Sequence, residues 1–165
     1  FSQCLRGERL PSEKQPPLIC IDGQNIAFWP VKSGKKKDWN LVALVASYFH
    51  ELGYKVYVYL PAFFIYRMDE KIKNKIKKSA VIKHVDCSDN PEQDDKEMLG
   101  YCLIENGFYV SNDKKMCDHL KENTIDKRAW CHSHRIEFGF NEEGIFNPLF
   151  PSSWTSPLIA GPSEI

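Results

Sequence analysis

Residues 18–28 read LICIDGQNIAF. Four apolar residues, Leu18 to Ile21, run into Asp22, and Gly23 and Asn25 follow at once. A short unbroken apolar run bounded by an acid and a glycine is the pattern of a strand buried on both faces, as in parallel sheets. A carboxylate at the end of such a strand is held rigidly at the sheet's edge. In open α/β sheets the loops at the carboxyl ends of the strands build the site.

Outward from this strand, the chain alternates. Asp38 is a fair N-cap for a helix to Leu52, whose apolar set (Leu41, Val42, Leu44, Val45, Tyr48, Phe49, Leu52) has 3-4 spacing, and Gly53 ends it. Lys55–Leu60 is β-branched and aromatic and predicts a second strand. A basic helix is expected over 67–78, a third strand over Ala80–Val85, and a helix from about Glu92 to Asn106, broken by Gly107. Phe108–Ser111 reads as a fourth strand, one or two helices cover about 115–132, and Arg135–Phe140 is a fifth strand before a turn at 141–144. Strands alternating with helices predict βαβ units, a mostly parallel five-stranded sheet and helices on both faces. The expected organisation is an extended segment over 1–17, one domain over 18–147, and a Pro/Ser-rich tail over 148–165 that wraps the domain or hangs free.

The chain has 165 residues, with Lys+Arg and Asp+Glu both at 22, so its net charge is zero. The balance hides clusters: KSGKKK at 32–37 and RMDEKIKNKIKKSAVIK at 67–83. Basic clusters beside separate acids suit a protein that grips an anion and also holds a cation. The plain alternative is a solvated helix face and a lysine-rich loop. No run of 18 apolar residues exists to span a membrane. The first residue is Phe1, as in a piece of a longer chain, and no secretory signal pattern opens it. Six cysteines without a CxxC pair favour free thiols in a reducing compartment, so a cytoplasmic location is expected, RNA granules and the nucleus staying open. Cys131-His132-Ser133-His134 lacks zinc-finger spacing and reads better as an RNA-facing surface or a helix C-terminus.

Asp22 ends the first strand and Asp113 follows the fourth; Asp94 and Asp95 open the helix after the third, and Asp118 lies inside the next one. A lone Asp at a strand end is most often a cap or turn residue. Several on one edge repel unless a cation neutralises them. Oxygen ligands point to a hard divalent ion, Mg²⁺ or Mn²⁺, which activates water and stabilises charge on a phosphoryl group. With lysines nearby, a phosphodiester substrate follows, and Lys32, Lys35, Lys36, Lys37, Arg67 and Lys71 are candidates for its backbone. Asn25, in the frame Asp-Gly-x-Asn, holds the loop or orients a water. Phe28 and Trp29 either stack bases or belong to the core. Receiver and haloacid-type phosphohydrolase domains also cluster acids at strand ends. The latter want Asp-x-Asp on the first strand, where Gln24 stands here.

The stretches ICIDGQNIA, VASYFHELGYKVYVYLP and QDDKEMLGYCLIENGFYVSND resemble the NYN branch of the PIN-like nucleases, most closely the Regnase/MCPIP-type ribonucleases, over about residues 17 to 150. The resemblance implies a three-layer α/β/α sandwich and a Mg²⁺- or Mn²⁺-dependent endoribonuclease cleaving single-stranded RNA. By motif, Asp22 matches the family's first metal-site acid, Asn25 its companion amide, Asp94 and Asp95 its acid pair, and Asp113 the acid of its Ser-Asn-Asp. The implied metal set is Asp22, Asp95 and Asp113, with either of Asp94 and Asp95 open as the ligand. The family's last acid falls on Cys117, so Asp118 is the nearest carboxylate. Relatives act in RNA decay or silencing, which implies proteins of those pathways, or a homo- or hetero-dimer, as partners. The rival reading keeps the fold without the chemistry: a weak or inactive RNA-binding scaffold.

Overall fold

The computed structural model describes residues 16–30, 36–120 and 124–154. Lys32, Lys35, most of the expected 1–17 segment and the end of the tail lie outside them.

Strand β1 is Leu18–Asp22, and all five of its residues are buried. It pairs in parallel with β2 (Lys55–Pro61) on one side and β4 (Phe108–Val110) on the other. β3 (Val81–Val85) lies outside β2, and β5 (Arg135–Phe140) lies beyond β4, both parallel. β6 (Phe146–Leu149) closes the far edge, antiparallel to β5, giving the order β3-β2-β1-β4-β5-β6. The order reverses direction at β1 and β4, so the crevice opens at their carboxyl ends.

The pleat divides β1 between two cores. Ile19 and Ile21 pack with α2 (Trp39–Glu51) residues such as Val42, Val45 and Phe49. Leu18 and Cys20 pack on the opposite face with Met98, Leu99 and Cys102 of α5 (Gln93–Glu105). The result is the expected three-layer α/β/α sandwich, with both faces of the central strands covered.

Asp38 caps α2 by accepting from the Asn40 N–H at 3.0 Å, and Gly53 adopts φ 94° just past its end. The elements depart from the sequence pattern at several points. The sheet has six strands among the described residues rather than five, because the Asn141–Gly144 turn returns the chain along β5. The paired chain therefore runs past residue 147, and Trp154 packs beyond it against Phe108 and Tyr54. The region 62–78 is two helices, α3 (Ala62–Arg67) and α4 (Glu70–Lys77), not one from 67. Met68 is extended, and the Asp69 side chain accepts from the Lys71 N–H and restarts the helix. α5 ends on Asn106 in the left-handed conformation rather than on Gly107. Gly107 is required for another reason: a Cβ there would lie 2.6 Å from the Leu18 carbonyl oxygen. The segment after β4 is a 3₁₀ turn, Met116–His119, followed by α6, Ile125–His134. The Cys-His-Ser-His stretch ends α6, with Cys131 buried and the His134 ring stacked on Trp130. No helix among the described residues is long and apolar enough to cross a membrane.

Candidate active site

β1 delivers Asp22 to the crevice, where it is 5% exposed. The chain turns at once into the short helix α1, Gly23–Ala27, and Asp22 is its N-cap, with Oδ1 accepting from the Asn25 N–H at 3.4 Å. Gly23 is needed at this turn, since a Cβ would meet Leu60 of β2 at 2.6 Å. Just past β4, the fully buried Ser111 hydroxyl donates to Asp22 Oδ2 at 2.8 Å. Ser111 Oγ itself accepts from the Asp113 N–H at 3.1 Å. One hydroxyl thus ties the acid of the first strand to the loop that carries the acid after the fourth.

Asn25 and Asn112 lock this loop. The Asn112 N–H donates to Asn25 Oδ1 at 2.7 Å. The Asn112 side chain pairs with both backbone groups of Phe138, donating to the carbonyl at 3.0 Å and accepting from the N–H at 2.9 Å. Asn112 therefore acts as one more rung between β4 and β5. Asp113 Oδ1 accepts from the Lys115 N–H, which opens the following turn.

Asp94 and Asp95 lie in the first turn of α5. Asp94 is 1% exposed and points inward, where Gln24 donates to Oδ2 at 3.2 Å and the Cys87 thiol to Oδ1 at 3.7 Å. Asp95 turns to the crevice. One ligating atom from each of Asp95, Asp113 and His119 lies within 4.8 Å of the others. Of the expected metal set, the structure groups Asp95 and Asp113 and sets Asp22 behind them, joined through Ser111. Asp118 stands outside: it is exposed, and His119 occupies the inward position. The reason is the 3₁₀ turn, with three residues per turn, so that Met116 and His119 share a face. The family resemblance pointed to position 117 and to its nearest acid, Asp118, and no motif in the sequence marked His119.

Burial is the largest influence on both Asp22 and Asp95. It pushes Asp22 up to about 7; the Ser111 and Asn25 hydrogen bonds oppose this, and the charges of Asp94 and Asp113 add to it. Asp95 is pushed up to about 8 by burial and then by the charges of Asp22, Asp94 and Asp113. Burial also raises Asp94, against its bond from Gln24. The side chains that press on these acids are mainly other acids, which is the donor set of a hard cation site.

The candidate strand-holding residues lie around the same edge. Arg67 ends α3, which follows β2 directly, and is exposed, as are Lys36, Lys37 and Lys71. The Lys37 ammonium lies over the rings of Phe28 and Phe64, at 5.8 and 5.3 Å. Trp29 instead packs edge-on to Phe140, at 5.0 Å.

The family described as the Zc3h12a-like Ribonuclease NYN domain matches residues 16–159. No curated protein matches. Among solved structures, nuclear protein-only RNase P 2 of Arabidopsis thaliana superposes with a TM-score of 0.65 at 16% identity, over 89% of this chain and 32% of that one. A second structure of the same plant's nuclear proteinaceous RNase P 2 gives 0.61 at 14% identity, over 84% and 30%. These likenesses show the fold, and the chain spans about a third of the length of those proteins. With its acids gathered at the switch point of a PIN-like sheet and the family match covering most of its length, the chain belongs to the Zc3h12a-like ribonuclease NYN domain family.

Proposed function

We propose that this domain is a divalent-metal-dependent endoribonuclease that hydrolyses single-stranded RNA. The observation that supports this most is the meeting of Asp95 and Asp113 beside buried Asp22, all three under mutual repulsion. Asp95 and Asp113 would hold a divalent ion, with Asp22 behind them. Such an ion, when bound, polarises water and offsets the charge that grows on phosphorus.

The residues themselves supply the rest. Ser111 and Asn25 fix both oxygens of Asp22, so that its carboxylate cannot rotate. Gln24 and Cys87 hold Asp94 in the wall, leaving Asp95 to face the crevice. A water attacks phosphorus in line with the departing 3′ oxygen, and a carboxylate takes its proton. Lys36, Lys37, Arg67 and Lys71 bind the RNA backbone, and Phe28 offers a ring beside them. We further infer a role in RNA decay or silencing in the cytoplasm, with proteins of those pathways as partners; this rests on the family resemblance.

The exposed position of Asp118 favours a second reading, a weak or inactive RNA-binding scaffold, because the last turn turns no carboxylate inward. One experiment separates the two: a cleavage time course on an unstructured RNA with Mg²⁺ or Mn²⁺, and with EDTA. Internal cleavage that EDTA stops is the expected result. RNA binding without cleavage under either ion would establish the scaffold.

A further inference from the structure

We infer that this centre takes a first-row transition ion such as Mn²⁺ in preference to Mg²⁺, because His119 supplies a nitrogen ligand through Nε2, with Glu92 on the far side of the ring. The inference rests on the metal-dependent reading above and specifies the ion.

The His119 ring is set between two acids. Its Nε2 is 3.7 Å from Asp95 Oδ2, and its Nδ1 is 3.7 Å from Glu92 Oε1. Only 15% of the side chain is exposed, so packing limits the ring's motion. Both separations exceed a direct hydrogen bond. The Nε2–Asp95 separation instead suits two atoms arranged about a common centre. Ligands held about 2.1 Å from one ion lie roughly 3 Å apart when adjacent and about 4.2 Å apart when opposite. Asp95, Asp113 and His119 each offer a ligand atom within 4.8 Å of the others, which puts all three within reach of one ion.

Glu92 stands 3.7 Å from Nδ1, where a small approach would give the recurring arrangement in which a carboxylate receives the N–H of a metal-binding imidazole. An ion bound through Nε2 would leave the Nδ1 proton on the Glu92 side of the ring. Mg²⁺ prefers oxygen and gives up water reluctantly, whereas transition ions bind imidazole well. Two carboxylates with one imidazole therefore tilt the site away from Mg²⁺.

The test uses Mn²⁺ alone on the whole chain, without RNA. Pulsed EPR of bound Mn²⁺ should show nitrogen modulation from an imidazole, and His119→Asp should remove it while keeping a third ligand of oxygen type. In competition, the excess of Mg²⁺ needed to displace Mn²⁺ should fall by about tenfold in His119→Asp. Glu92→Gln should weaken Mn²⁺ binding by about tenfold and keep the nitrogen signal. Bound Mn²⁺ without nitrogen modulation, or an unchanged competition in His119→Asp, would overturn the assignment of His119 while leaving metal-dependent cleavage intact. Absence of Mn²⁺ binding together with cleavage that persists in EDTA would instead overturn the metal-dependent reading and this inference with it.

Discussion

Asp22→Asn should make the metal-free protein more stable at neutral pH and at the same time abolish its cleavage of RNA. Asp22 is buried, and its pKa rises from 3.8 to about 7. The native state therefore binds more protons than the unfolded chain between those values. Stability is whole below about pH 4 and falls as pH rises through about 7. At about 1.4 kcal/mol per pH unit, a gap of about three units sets a ceiling of about 4 kcal/mol lost by pH 8. Asparagine keeps the shape and removes the charge. Its oxygen can accept from the Asn25 N–H, and its amide can donate to Ser111 Oγ, whose own proton must then turn elsewhere at a cost of about 1 kcal/mol. The net gain above neutrality is about 2–3 kcal/mol in EDTA, or a Tm higher by about 4–10 °C. At about pH 4 the gain should vanish. Excess Mn²⁺ should narrow the difference, since an ion held by Asp95 and Asp113 beside a charged Asp22 stabilises the native parent more than the variant. Thermal unfolding of both proteins in EDTA at about pH 4 and pH 8 is the assay. A variant less stable than the parent at both values, with an unchanged pH trend, would refute the picture of crowded, uncompensated acids.

Asp113→Asn should slow cleavage by more than about a hundredfold, whereas Asp118→Asn, at an exposed position, should stay within about threefold of the parent; single-turnover rates under one ion compare them. Asn112→Ala leaves both backbone groups of Phe138 without that partner and should cost about 2–3 kcal/mol in urea unfolding, with cleavage falling as the Asp113 loop loosens. Replacing Lys36 and Lys37 by Ala should weaken RNA binding and lower the salt dependence by about 0.7 per charge, read as log Kd against log salt; an unchanged slope would remove this loop from the interface.

Local chemistry made much of this architecture readable. The unbroken apolar run of β1, the alternation of strand and helix, the Asp38 cap and the Gly53 stop are all short-range signals, and the structure follows them. The split between α3 and α4 was harder to read, because 67–78 has helical composition throughout and only the Asp69 side chain, capping Lys71, interrupts it. Strand β6 was missed because FNPL contains a proline and lies in a Pro/Ser-rich region. An edge position tolerates that proline, and the pairing partner is set by the turn before it.

The sequence by itself determined that acids stand at the ends of β1 and β4, since Asp22 and Asp113 follow apolar runs that must be buried. It also determined the parallel sheet, whose edge brings distant parts of the chain together. Which acid faces the crevice was decided only in three dimensions. Asp94 and Asp95 are adjacent in sequence, yet Gln24 and Cys87 draw one into the wall and leave the other with Asp113. The same holds for the last turn, where 3₁₀ winding places His119 inward and Asp118 outward. Side-chain direction at such points depends on partners 7 and 70 positions away and on the winding of one short turn, which a local motif does not carry.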